Sequence, residues 1–147
     1  MQIYEIRENK KQHLNLLLLA DEQERMIDRY LERGTMYVLE AHGVQGVCVV
    51  TDEGDGVLEI KNIAVRPEAQ KRGYGKAMLN FVADAYRGRY HTLLVGTGDS
   101  PLTVPFYEAC GFTYSHRVKN FFIDHYDHAI FECGVQLVDM VYLKKVL

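Results

Sequence analysis

Apolar and polar positions change period several times along the chain, and each change marks an element. "MQIYEI" alternates as a first strand does, and "NKKQHLNLLLLA" then carries enough apolar residues for a helix. Asp21, with Glu24 three residues on, resembles a capping box opening a second helix. Met26, Ile27, Tyr30 and Leu31 would share its buried face, and Gly34 would end it. Period two returns over Thr35–Glu40, Gln45–Thr51 and Val57–Val65, three strands joined by Gly- and Asp-rich turns and therefore antiparallel neighbours.

From about Gly75 to Tyr86 the period is helical, with Met78, Phe81, Val82 and Ala85 as the expected buried stripe. "YHTLLVG" reads as a short buried strand, and "SPLTVPFYEAC" as a short helix with Ser100 as N-cap and Pro101 at its first position. "FTYSHRVKNFFID" and "VQLVDMVYLKK" read as two further strands around the loop "HYDHAIFECG". No repeat, linker or low-complexity tract interrupts this order. The expectation is an α/β chain, residues 1–147 as one domain.

Composition narrows the class. A net charge of −3 over 147 residues argues against a general nucleic-acid or membrane binder. Cys48, Cys110 and Cys133 are widely spaced and form no CxxC pair, so they read as reduced thiols of a cytoplasmic protein. "LNLLLLA" is too short to span a membrane and runs into "DEQE", which makes it a core helix.

Against that mixed charge, "VRPEAQKRGYGKAML" stands out. Two close glycines and three cations, Lys71, Arg72 and Lys76, lie where strand gives way to helix. A helix N-terminus offers unpaired N–H groups and a positive dipole end, and glycine lets backbone approach a ligand closely. The combination describes a cradle for a phosphate or pyrophosphate. It is not a P-loop, since Gln70 stands where the first glycine belongs and Ala77 where the hydroxyl belongs. Nor is it a dinucleotide fingerprint, because Met78 replaces the third glycine.

"LEIKNIAVRPEAQKRGYGKAML", followed by "PFYEACGF" at 105–112, resembles the GNAT superfamily of GCN5-related N-acetyltransferases over nearly the whole chain. The resemblance implies a GNAT fold: a mixed, mostly antiparallel sheet of about six to seven strands, flanked by about four helices and splayed between its fourth and fifth strands. It also implies acetyl-CoA as cosubstrate and no metal. By that resemblance Gln70, Lys71, Arg72, Gly73, Tyr74 and Gly75, with Lys76 just inside the helix, would hold the coenzyme A pyrophosphate. Ile63, Ala64 and Val65 would pair their backbone with the pantetheine arm, and the Ile63 N–H would meet the thioester oxygen. "GTGDS" at 96–100 would lie near the thioester, with Asp99-Ser100 where many relatives carry an asparagine. Ser100 is therefore a candidate cofactor contact.

The implied chemistry is transfer of an acetyl group to a primary amine of a small molecule or peptide. Tyr107 in "PFYEACGF" would protonate the departing thiolate, since a phenol donates without being ionised at neutral pH. Glu59, eleven residues before Gln70, matches the glutamate that activates the amine in the histone-acetyltransferase branch, and a surface carboxylate is its alternative reading. Asn62, on the opposite strand face, would only orient a ligand or the backbone. His116, His125 and His128 with Asp124 and Asp127 admit three readings: a metal cluster, a wall of the acceptor pocket, or a polar turn. A non-catalytic acyl-CoA sensor stays open as another function and a homodimer as an assembly, whereas an ATP-binding protein would lack the hydroxyl and carboxylate needed to hold magnesium.

Overall fold

The computed structural model describes residues 1–147. They divide into two compact units, 1–91 with Leu147, and 92–146. Seven strands belong to a mixed sheet and two to a separate ladder.

The first unit holds β1 (Gln2–Ile6), a 3-10 turn (Lys10–His13), α1 (Leu14–Ala20), α2 (Glu24–Ile27), β2 (Thr35–Glu40), β3 (Val44–Asp52), β4 (Val57–Val65) and α3 (Tyr74–Tyr86). Its strands follow one another antiparallel, β1 on β2, β2 on β3 and β3 on β4. Leu16 and Leu17 of α1 and Ile27 of α2 pack with Met36, Val38, Val47, Val49 and Ala64 into one core. "LNLLLLA" is thus a core helix, and no helix of the chain is long and apolar enough to cross a membrane.

The expected second helix is shorter than its apolar spacing suggests. Asp21 is the C-cap of α1 rather than an N-cap, and its carboxylate accepts from the Tyr30 hydroxyl at 3.1 Å. Helix α2 spans one turn, and the chain reaches Gly34 through successive turns, with the Gly34 N–H donating to the Tyr30 carbonyl at 2.9 Å. Met26, Ile27, Tyr30 and Leu31 are nevertheless buried as expected. The carbonyls left free there are capped by Lys10, whose Nζ donates to Leu31 O at 2.9 Å and Gly34 O at 2.8 Å from an 8% exposed position. In α3 the buried face is Met78, Leu79, Val82, Ala83 and Tyr86; Ala85 is exposed, so the stripe lies one position round from its expected line.

The second unit holds β5 (Thr92–Gly98), α4 (Val104–Ala109), β6 (Thr113–Val118), α5 (Phe121–His125), β7 (Phe131–Glu132), β8 (Val135–Gln136) and β9 (Met140–Val146). Strand β9 pairs antiparallel with both β5 and β6, and β7 with β8. Two expected strands are corrected. The stretch after Val118 turns at Asn120 (φ 58°) into α5, and "VQLVDMVYLKK" is interrupted between Gln136 and Met140. Ser100 does not cap α4: its Oγ accepts from the Leu102 N–H at 3.0 Å within a turn, and the helix starts four residues later. Pro105, not Pro101, lies in its first turn.

Candidate acetyl-CoA site and catalytic residues

Strand β4 leads into the basic loop through Arg66, which is fastened to β3 twice. Its N–H donates to Gln45 O at 2.8 Å and its Nε to Val44 O at 2.7 Å. A short turn over Pro67–Ala69 buries Ala69, and Gln70 is extended, with Nε2 donating to Val65 O at 3.2 Å. Lys71 (φ 64°) and Gly73 (φ 83°) both adopt left-handed backbone. Gly73 is the N-cap of α3, and no atom lies within 4 Å of where its Cβ would be.

The first α3 bond to that cap runs from the Ala77 N–H to Gly73 O at 2.9 Å. The N–H groups of Tyr74, Gly75 and Lys76 stand in the helix's first turn, which has no intrahelical acceptor for them, and no side chain caps the end. Lys71, Arg72 and Lys76 surround it, all exposed. Open space, unpaired donors and three cations therefore coincide, which is what an anionic phosphate linkage requires.

Upstream, β4 carries a feature that periodicity did not reveal. Pairing with β3 jumps between Val49, opposite Asn62, and Val50, opposite Ile60, so Lys61 is an extra residue in a β-bulge. Glu59 is buried, 7% exposed, and its carboxylate is 3.0 Å from the Lys61 ammonium. Burial pushes the Glu59 carboxyl above its ordinary range, while Lys61 pulls the other way. The bulge corrects the expected placement of Asn62. Val49, opposite Asn62, and Thr51, opposite Glu59, share one face of β3. Asn62 therefore lies on the same sheet face as Glu59, not the opposite one, and is covered by α1. Its Nδ2 donates to Leu17 O at 2.9 Å and to the Tyr30 hydroxyl at 3.1 Å, and its buried Oδ1 has no partner.

In the second unit, Tyr107 of α4 is 6% exposed and meets Phe106 and Phe112 edge-on, with centroids 5.2 and 5.7 Å apart. The 96–100 segment packs closely. A Cβ on Gly96 would come 2.9 Å from the Tyr142 ring, and one on Gly98 would come 2.6 Å from Leu137. Ser100 is buried, and Asp99 is paired at 3.1 Å with Arg117, which also reaches Asp139 at 3.1 Å. That fork ties three separate segments, and nothing in the local sequence around Arg117 announces it.

The histidines of the last third do not converge. His116 stacks on Tyr142 at 4.6 Å, His125 stacks on Phe121 at 4.4 Å, and His128 pairs with its neighbour Asp127. No group of three His, Cys, Asp or Glu is placed to hold a metal ion.

Residues 32–114, more than half of the chain, match the family model described as an acetyltransferase (GNAT) domain. The chain belongs to the GNAT acetyltransferase family. It is 40% identical over 132 residues to an uncharacterized N-acetyltransferase, YvbK, of Bacillus subtilis, covering 88% of this chain and 85% of that one. A GNAT family acetyltransferase from Elizabethkingia anophelis, crystallised with acetyl-CoA bound, is 33% identical with a TM-score of 0.94, covering 99% of this chain and 97% of that one. A Bacillus subtilis acetyltransferase in complex with CoA is 37% identical with a TM-score of 0.89, covering 99% and 98%. The GNAT chain described here is an acyltransferase, an N-acetyltransferase that uses acetyl-CoA.

Proposed function

We propose that residues 1–147 act as one catalytic domain of the cytoplasm that acetylates a primary amine of a small molecule or peptide. The observation that carries this reading is the loop at 70–76, where unpaired helix N–H groups, left-handed backbone and three cations meet in open space.

In this reading the backbone of Gln70 to Gly75, with Lys76, holds the pyrophosphate, and Ile63, Ala64 and Val65 align the pantetheine. Ser100 adds a contact through its hydroxyl hydrogen, since its oxygen is already engaged by the Leu102 N–H. The acceptor amine must first lose a proton, because a lysine-like ammonium has a pKa of about 10.4. Glu59 takes that proton, directly or through water. The amine nitrogen attacks the thioester carbon, the Ile63 N–H stabilises the oxygen as charge builds, and the C–S bond breaks. Tyr107 gives its proton to the thiolate. The nitrogen sheds its second proton as the amide forms, and this reprotonates the phenolate by way of water. Glu59 releases the first proton to solvent. The products are the N-acetyl amine and coenzyme A.

An assay following free thiol over a panel of amino acids, polyamines, aminoglycosides and lysine peptides tests the reading. Acetyl-CoA alone should release thiol slowly, and one amine class should raise the rate by orders of magnitude. With that amine, Tyr107→Phe should lower kcat about 10²-fold or more while acetyl-CoA binding persists. Calorimetric binding of acetyl-CoA with no turnover on any amine would favour a sensor instead.

A further inference from the structure

Glu59 and Lys61 lie two residues apart on β4, where the bulge interrupts strict alternation. Their charged groups meet at 3.0 Å with side-chain exposures of only 9% and 22%. Lys61 is also the residue that the β-bulge inserts. Glu53 accepts from the Thr51 hydroxyl at 2.6 Å and pairs with Arg33 at 3.0 Å, while Lys61 touches Glu59 and acts on Glu53 through its field. Around Glu59 the field therefore comes from Lys61 and Arg33, which favour its ionised form, and from Glu53, which opposes it.

We infer that Lys61 is a positioning residue for the reaction: it holds the Glu59 carboxylate ionised and aimed despite burial, so that Glu59 is ready to accept a proton at neutral pH. This rests on Glu59 being the base. A carboxyl group left in that environment without its cation would retain its own proton and have no lone pair to offer an ammonium. The charge on Lys61 need not touch substrate to do this. Its effect is confined to the pH range in which Glu59 titrates, which separates it from a role in stability alone.

The experiment is a pH profile of kcat/KM from pH 5.5 to 9.5 for the wild type, Lys61→Met, Lys61→Arg and Glu59→Gln. It is paired with a heteronuclear NMR titration of the Glu59 carboxyl in the first three. Taking the ratio of variant to wild type at each pH cancels ionisation of the acceptor amine. Lys61→Met should move the acidic limb, and the Glu59 titration, upward by about one pH unit. Its rate deficit should be about tenfold near pH 6 and should shrink as pH rises. Lys61→Arg should restore most of the wild-type profile. A Lys61→Met profile parallel to wild type at every pH, with the Glu59 titration unmoved, overturns the inference. If instead the titration shifts while Glu59→Gln retains the wild-type acidic limb, the pairing holds and Glu59 is not the base. Should Lys61→Met fail to fold, Lys61→Gln takes its place in both measurements, and an unmoved acidic limb and Glu59 titration in that variant overturn the inference.

Discussion

The Asn62 side-chain amide donates 2.9 Å to the Leu17 carbonyl and so fastens β4, the strand of the proposed catalytic groups, to α1. Its orientation is fixed by chemistry. A backbone carbonyl only accepts, so Nδ2 must face Leu17, and Oδ1 is left buried and unpartnered. The Tyr30 hydroxyl, which donates to Asp21, accepts the second Nδ2 hydrogen at 3.1 Å. Asn62→Leu removes both donors and the orphan acceptor together, and should cost about 1 kcal/mol of unfolding free energy. Asn62→Asp sets a carboxylate against a carbonyl in a buried site and should cost clearly more. Urea unfolding of the two variants gives the order.

The β3–β4 turn contains a sharper steric test. Gly54 (φ 84°) and Gly56 (φ 77°) both adopt left-handed backbone, but a Cβ at Gly54 would meet open space. A Cβ at Gly56 would meet the His91 ring, itself held by Asp55 O at 2.7 Å. Gly54→Ala should therefore cost about 1 kcal/mol, for the backbone alone, and Gly56→Ala distinctly more because the ring must also leave its acceptor. Thermal unfolding of the two variants side by side checks this.

How far the sequence disclosed this arrangement depended on the range of the interactions. The strands at Thr35–Glu40 and Val57–Val65 were legible to the residue, because alternation and turn glycines are local signals. The basic loop was legible for the same reason: glycines and cations sit side by side there. What escaped was set by tertiary contact. Asp21 looks like a cap but is claimed by Tyr30, nine residues away. Ser100 looks like a cap but serves a turn. The bulge at Lys61 depends on how β3 pairs with β4, which one strand's pattern cannot show. The Glu59–Lys61 pair escaped with it, because the bulge interrupts the alternation from which a shared face would be read.

The loop itself separates affinity from stability. Gly73 has no neighbour within 4 Å of a Cβ position, so Gly73→Ala meets only the left-handed backbone penalty of about 1–2 kcal/mol. Relieving that strain would turn the N–H groups of Tyr74 to Lys76 away from their common direction. Acetyl-CoA affinity should fall about tenfold or more by calorimetry, with a small change in unfolding temperature. Arg72→Ala keeps the backbone and removes one exposed charge. Its loss of affinity should be modest and should vanish as salt is raised. A Gly73→Ala variant with unchanged affinity would remove the loop from the cofactor site.

Stability should fall on mild acidification, and His13 is a cause that can be isolated. Burial, and then the charge of Arg66, lower the His13 pKa below its ordinary value. The unfolded chain therefore binds a proton more readily than the folded one, and stability declines as pH drops through about 6.5 towards the folded value. Glu59 acts with the opposite sign: its pKa is raised in the fold, so its contribution is complete below the ordinary carboxylate range and is lost as pH rises through the folded value. Glu53 enters at lower pH still. Burial opposes its ionisation, but the Thr51 hydroxyl, Lys61 and Arg33 together draw its pKa down, so its contribution disappears only as pH falls through that depressed value. His13→Gln removes the first of these protons alone. Chemical denaturation at half-unit steps should show the variant losing less stability than the wild type between about pH 6.5 and 5.5, with the two curves parallel above about pH 7.5. Parallel curves over the whole range would mean that His13 is as readily protonated in the folded chain as in the unfolded one.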